Sequence, residues 1–233
     1  MDTSVKAYWL GHSAFKLETA DGTDILIDPF LKNNPVTPDD WKEPSQADYI
    51  LLTHGHEDHV GDTIEIAERT GCQVVSIVEL SGLLKKHGLA EDQAVEFNKG
   101  GTLDFDDFSV TLVSANHSSS FQREYAGDPG GLVVEFDDLT LYHLGDTNIF
   151  ADLELYGELY TPDLVCVPMG DYYTMGPREA AWACDLIGAE YAVPIHYGTF
   201  PVLTGKAEDF KSFTEKETDT IVWIPDAGEN FLG

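Results

Sequence analysis

The sequence predicts an α/β (α+β) fold in which two β-sheets pack face to face with helices on the outside. Three observations carry that expectation. Each half of the chain opens on short β-prone runs and goes on to helical ones. The segment 48–53 holds four consecutive apolar residues, Tyr49-Ile50-Leu51-Leu52, the mark of a strand covered on both faces. No low-complexity linker or repeat divides the halves, and 233 residues suit one domain spanning 1–233.

In chain order, 5–10, 14–19 and 24–28 are β-prone, with Asp21-Gly22 as the turn between the second and third. A proline-containing loop covers 29–46, followed by the strand at 48–53 and a His-rich loop. A helix is expected at 62–70, where Asp62 and Glu65 have capping-box spacing. A strand at 73–77 and a helix at 80–87, ended by Gly88, close the first half. Strands follow at 94–97, 102–105, 108–114, 131–136 and 139–144, then a short helix at 152–159 and a strand at 163–167. Pro177 suits the first position of a helix running to 187. The chain then reads as a strand at 191–195, a helix at 207–213 and a last strand at 220–224.

Charge narrows the function classes. Thirteen Lys and Arg stand against 42 Asp and Glu, a formal charge of −29, which repels nucleic-acid backbones and anionic lipid. Small-molecule substrates are the expected partners, with neither nucleic acid nor membrane, and a homo-oligomer is compatible with the sequence. Met1-Asp2-Thr3-Ser4 has neither the basic nor the apolar region of an export signal. Cys72, Cys166 and Cys184 are odd in number and widely spaced. They indicate no disulfide framework or thiolate zinc site, and a reducing cytoplasm is expected. Cys166, inside an apolar run, is expected to be strand core.

The richest stretch is Thr53-His54-Gly55-His56-Glu57-Asp58-His59, directly after the buried strand. Three imidazoles and the Asp58 carboxylate within six residues can converge as the loop turns. His54 and His56 point the same way if the backbone stays extended, while Asp58 and His59 lie beyond the turn and can face a second centre. Imidazole nitrogen and carboxylate oxygen are ligands that divalent ions such as Zn²⁺ accept.

His-x-His-x-Asp-His after an apolar strand, with later isolated histidines and Gly145-Asp146-Thr147, resembles the metallo-β-lactamase superfamily. The resemblance extends to its small metal-dependent hydrolases, the group that includes ascorbate-6-phosphate lactonase. It rests on Gly11-His12-Ser13, Ile27-Asp28-Pro29, Tyr142-His143, the run from Gly170-Asp171 to Thr174-Met175-Gly176-Pro177, and Pro194-Ile195-His196-Tyr197. It implies a four-layer αββα sandwich and a dinuclear site. Carried over, His54, His56 and His117 hold one ion, Asp58, His59 and His196 the other, and Asp146 bridges both. The resemblance implies zinc, with manganese or iron as alternatives. His12 is expected to reach the site as a substrate or supporting contact, and Asp28 to hold the His loop. His143 is expected behind Asp146, and Asp171, Tyr197, Thr174 and Met175 near the pocket. The loops at 39–40, 118–130 and 200–205 are expected to shape it.

The implied reaction is hydrolysis of a small ester, lactone or phosphodiester by a metal-activated hydroxide, with Asp58 or Asp146 as proton acceptor. Two divalent ions, two carboxylates and one hydroxide leave about one net positive charge, suited to developing negative charge in the transition state. Asp146 stands where the zinc β-lactamases of one subclass carry cysteine, against antibiotic hydrolysis. Two other activities stay open: an iron-dependent oxidoreductase with the same ligands, and a phosphodiesterase acting on N-acyl-phospholipids, which shares Leu10-Gly11-His12.

Overall fold

The computed structural model describes Met1 and residues 3–232. Asp2, within the N-terminal stretch read above, and Gly233 lie outside the described residues. Strands β1 (Lys6–Gly11), β2 (Ala14–Glu18) and β3 (Asp24–Ile27) form an antiparallel meander. β4 (Tyr49–Leu51), β5 (Gln73–Ile77) and β6 (Ala94–Phe97) extend it in parallel, giving one six-stranded sheet in sequential order. Between its strands lie a one-turn helix α1 (Glu57–Val60), α2 (Thr63–Thr70) and α3 (Val78–Lys86).

The chain continues through β7 (Thr102–Asp104), β8 (Ser109–Ser114) and a two-stranded hairpin, β9 (Ser120–Phe121) with β10 (Glu124–Tyr125). β11 (Gly130–Phe136), β12 (Leu139–His143), α4 (Asp152–Tyr160) and β13 (Leu164–Pro168) follow. Then come α5 (Pro177–Ile187), β14 (Tyr191–Ile195), α6 (Ala207–Glu217) and β15 (Ile221–Val222). The second sheet has the order β15-β14-β13-β12-β11-β8-β7.

The four layers follow from alternation along the second sheet. Leu112, Leu132, Val134, Leu141, Leu164, Cys166, Val193 and Ile195 join one core with the first sheet, together with Ile66, Ala67, Leu80 and Leu84 of α2 and α3. Their chain neighbours Val113, Val133, Tyr142, Val165, Val167 and Ala192 point the other way, into a second core with Leu153 of α4, Cys184 and Ile187 of α5 and Phe210 of α6. A period of two in the strands thus gives each sheet residue one layer or the other. Cys166 is wholly buried, and burial pushes its thiol well above the ordinary range.

Most element boundaries agree with the sequence to within two residues, and the exceptions have local causes. The capping box at Asp62 does not form: Asp62 Oδ2 accepts the backbone N–H groups of Leu31 and Lys32, both at 2.9 Å, and Glu65 pairs with the Lys32 ammonium. The carboxylate therefore ties the 29–46 loop to α2. Helix α6 runs four residues past the expected end at 213. Thr214 is buried, and Glu215 accepts the Val222 N–H at 3.1 Å, so packing against the last strand replaces an apolar pattern. Among the described residues no helix is long and apolar enough to cross a membrane.

Candidate metal centre

Every residue of the candidate centre stands just beyond a strand, in the turn that follows one, or, for Asp58 and His59, in the one-turn helix α1 after β4. His12 and Asp28 follow β1 and β3, His54 to His59 follow β4, and His117, Asp146 and His196 follow β8, β12 and β14. The first sheet thus supplies the dense His loop, and the second supplies three isolated groups from separate strands. The ligand atoms of His54, His56, His117 and Asp146 lie within 4.8 Å of one another, as do those of His12, Asp58, His59 and His196. Asp146 sits between the two groups: Oδ2 is 3.5 Å from His117 Nε2 and 3.0 Å from His196 Nε2, while Oδ1 is 3.3 Å from His59 Nε2.

Hydrogen bonds behind these side chains fix which nitrogens face inward. Asp28, wholly buried, accepts the Thr53 N–H at 2.9 Å on Oδ1. On Oδ2 it accepts the Thr53 hydroxyl at 2.6 Å and His59 Nδ1–H at 2.7 Å. With its proton committed to Asp28, the Thr53 hydroxyl accepts from His54 Nδ1 at 3.0 Å. Both imidazoles therefore turn Nε2 toward the centre, and a carboxylate behind an imidazole raises its basicity as a ligand. His143 accepts the Gly145 N–H on Nδ1 at 3.1 Å and donates from Nε2 to the Ser13 carbonyl at 3.0 Å, so it braces the turn that carries Asp146. Gly145 needs its φ of +62°, and a Cβ there would lie 2.6 Å from the Gly130 carbonyl.

The donor set fits a divalent cation. His59 Nε2 and Asp146 Oδ1 are buried without a hydrogen-bond partner, an arrangement that normally costs stability unless a further ligand takes them up. His54 Nε2 lies 2.9 Å from His56 Nδ1, so two imidazole nitrogens converge on one space. Burial opposes ionisation of Asp146, yet the imidazoles of His196 and His59 outweigh it and hold the carboxyl well below its ordinary range. Burial lowers the affinity of His54, His56 and His117 for a proton, which leaves neutral imidazoles as ligands require. At His59 burial is overcome by Asp146 and Asp28, so positive charge is favoured at its inner face.

His12 reaches the centre. Its Nε2 lies 3.2 Å from Asp58 Oδ2 and its Nδ1 3.0 Å from the Thr199 hydroxyl. Burial, reinforced by His196, lowers its pKa to about 4 against the pull of Asp58. For Asp58 burial works against the charged form, but the His12 hydrogen bond and the His59 charge hold the carboxyl below its usual range. His12, Asp28 and His196 all have positive φ, 56°, 45° and 58°, and the His196 N–H donates to the His12 carbonyl at 3.0 Å. Three side chains of the centre are thus held on left-handed backbone, a strain of about 1 kcal/mol or more for each histidine.

A cavity of about 600 Å³ opens over the centre, walled by Ser118, Tyr173, Phe200, Pro201 and Val202. Several expected neighbours stand elsewhere. Asp171 holds its own turn, accepting the Tyr172 N–H at 2.7 Å and the Thr204 hydroxyl at 3.0 Å. Met175 is buried in the helix-side core, so Tyr173 and not Thr174 or Met175 lines the cavity. Tyr197 stacks on Trp9 with centroids 5.3 Å apart, and the 39–40 segment is a turn of 3₁₀ helix away from the wall. Thr199 was not read from the sequence, because its partner His12 lies 187 residues away. Gly170 has a clear role: a Cβ there would lie 1.8 Å from the His196 carbonyl.

The description "beta-lactamase superfamily domain" belongs to a family model that matches residues 6–196. The chain belongs to this superfamily and is a metal-dependent hydrolase. It is 44% identical over 216 residues to a UPF0173 metal-dependent hydrolase of Koribacter versatilis, covering 91% of this chain and 92% of that one. Among solved structures it is similar to Igni18, a metallo hydrolase of Ignicoccus hospitalis, at 36% identity and TM-score 0.87, with 97% of each chain covered. Likeness of fold alone extends to CmlA, a diiron beta-hydroxylase of Streptomyces venezuelae: TM-score 0.75, 16% identity, all of this chain and 55% of that one.

The support behind the ligands yields a first expected result. In Asp28→Asn, either orientation of the amide sets an N–H against a donor, at Thr53 N–H or at His59 Nδ1–H and the Thr53 hydroxyl. Zinc affinity, measured by competition with a chromogenic chelator, falls about 10- to 100-fold. An unchanged affinity would remove Asp28 from the support.

Proposed function

We propose that the chain is a dinuclear hydrolase of small ester, lactone or phosphodiester substrates, with zinc as the first metal and manganese or iron as alternatives. The observation that carries this reading is the convergence of His54, His56 and His117 on one side of Asp146 and of His12, Asp58, His59 and His196 on the other, with Nε2 of His54 and His59 turned inward. His54, His56 and His117 would hold one ion and Asp58, His59 and His196 the other, with Asp146 shared between them. When bound, two divalent ions supply a water acidic enough to attack near neutral pH and a Lewis acid for the oxygen under attack.

The chain's own groups do the rest. His12, held by Thr199, orients the Asp58 carboxylate, and this pair is placed to carry the proton released as water adds. For an ester, the water oxygen bonds to the carbonyl carbon and the bond to the alcohol oxygen breaks. That oxygen leaves with the electron pair and takes up the proton, giving acid and alcohol. The cavity walls admit a small molecule.

The test is a panel of carboxylic esters, lactones, thioesters and phosphodiesters on zinc- and manganese-loaded protein, with metal content measured in parallel. Turnover of at least one ester, lactone or phosphodiester, abolished by chelation and restored by metal, is expected. Coloured, iron-loaded protein that consumes oxygen and hydrolyses nothing on the panel would overturn it in favour of redox chemistry.

A further inference from the structure

A second cavity, about 530 Å³, adjoins the one over the metal centre, and Asp58 and Phe200 line both. Its wall combines three aromatic rings, Phe30, Phe121 and Phe200, with the carboxylates of Glu57, Asp58 and Asp62. The rings of Phe30 and Phe200 lie 6.3 Å apart, and His12 meets Phe200 edge-on at 5.4 Å, so the aromatic wall runs from the second cavity to the centre. Among the described residues, no lysine or arginine lines either cavity. Lys32, next to the lining residue Asn33, pairs its ammonium with Glu65 and Glu43, and Arg123, next to Gln122, is exposed on the turn between β9 and β10.

We propose that the two cavities form one substrate cleft, and that the substrate carries an apolar or aromatic arm, neutral or cationic, which lies along Phe200 into the second cavity. This rests on the hydrolase reading of the centre, and adds the chemical class of the part that does not react. Negative charge developing at the bond under attack meets the centre. An anionic arm would meet three carboxylates in a partly dehydrated cleft, with the neutral amides of Asn33 and Gln122 but no cation to offset its lost hydration. A cationic head is drawn to the same carboxylates and to the faces of the rings. A lactone or ester bearing a phosphate on its arm is therefore a poor substrate.

The test measures binding of two aromatic ions of similar size, benzyltrimethylammonium and benzenesulfonate, to the zinc-loaded protein by calorimetry. At least tenfold tighter binding of the cation is expected. Glu57→Lys shrinks that preference, and Phe200→Ala weakens binding of the cation. Equal or tighter binding of the sulfonate, or a Phe200→Ala variant that binds the cation as before, overturns the proposal. A parallel series of aryl esters with neutral, ammonium and sulfonate arms separates the two readings. Turnover without any preference among the arms sinks the cleft assignment and leaves the hydrolase standing. A binding preference without turnover of any ester, lactone or phosphodiester sinks the hydrolase reading and leaves the cleft.

Discussion

Asp146→Ala loses bound metal and hydrolytic activity together. Asp146 turns its oxygens toward both donor groups, 3.0 Å from His196, 3.3 Å from His59 and 3.5 Å from His117. Alanine removes the negative charge that draws cations to both sides, and leaves several buried imidazoles converging on an empty space. Substitution of a peripheral support group costs about 10- to 100-fold, so loss of a group shared by both sides is expected to lower kcat/KM by more than about 10³-fold. Elemental analysis of the purified variant, alongside kinetics on the best substrate of the panel, checks both halves. Activity retained within tenfold, or full metal content, would refute the bridging role. The fold should survive, because the turn is held by His143 and Gly145 and not by the Asp146 side chain.

Chelation lowers thermal stability as well as activity. The donors come from the segment after β4 in one sheet and from the ends of β8, β12 and β14 in the other, so the metal-holding groups are complete only when the two sheets are assembled. A ligand present at a thousandfold excess over its dissociation constant stabilises the native state by about 4 kcal/mol. For a chain of this size each kcal/mol moves Tm by about 2–4 °C. Scanning calorimetry with and without chelator is expected to show a drop of roughly 8–16 °C, combining those two scales, with Tm rising as free zinc is restored. An unchanged Tm would mean that ions do not join the sheets.

What could be read in the sequence and what could not follow from the range of the interactions. The His54 to His59 loop was legible because its chemistry is concentrated in six consecutive residues. His117, Asp146 and His196 are each a lone polar residue after a strand, where turn or core roles explain the residue equally well. Only the resemblance grouped them, and the structure brings them within reach of one another. The inward faces of His54 and His59 depend on Asp28, 31 residues from His59, and no local pattern encodes that bond. Strands and long helices were legible from periodicity. The one-turn α1 was not, because four residues hold too little pattern, and Asp62 misled because its carboxylate found partners in a distant loop.

The left-handed backbone at His12, Asp28 and His196 has an evolutionary consequence. Glycine would sit at each of these positions with less backbone strain, but it would give up the buried hydrogen bonds of Asp28 and donors of the two groups that face the centre, so the strain persists because the surrounding site outweighs it. Backbone geometry and side-chain chemistry therefore pull in opposite directions at these three residues, and the side chains prevail. A library screened for survival on heating with metal present is therefore expected to keep all three residues and to find its added stability elsewhere in the fold.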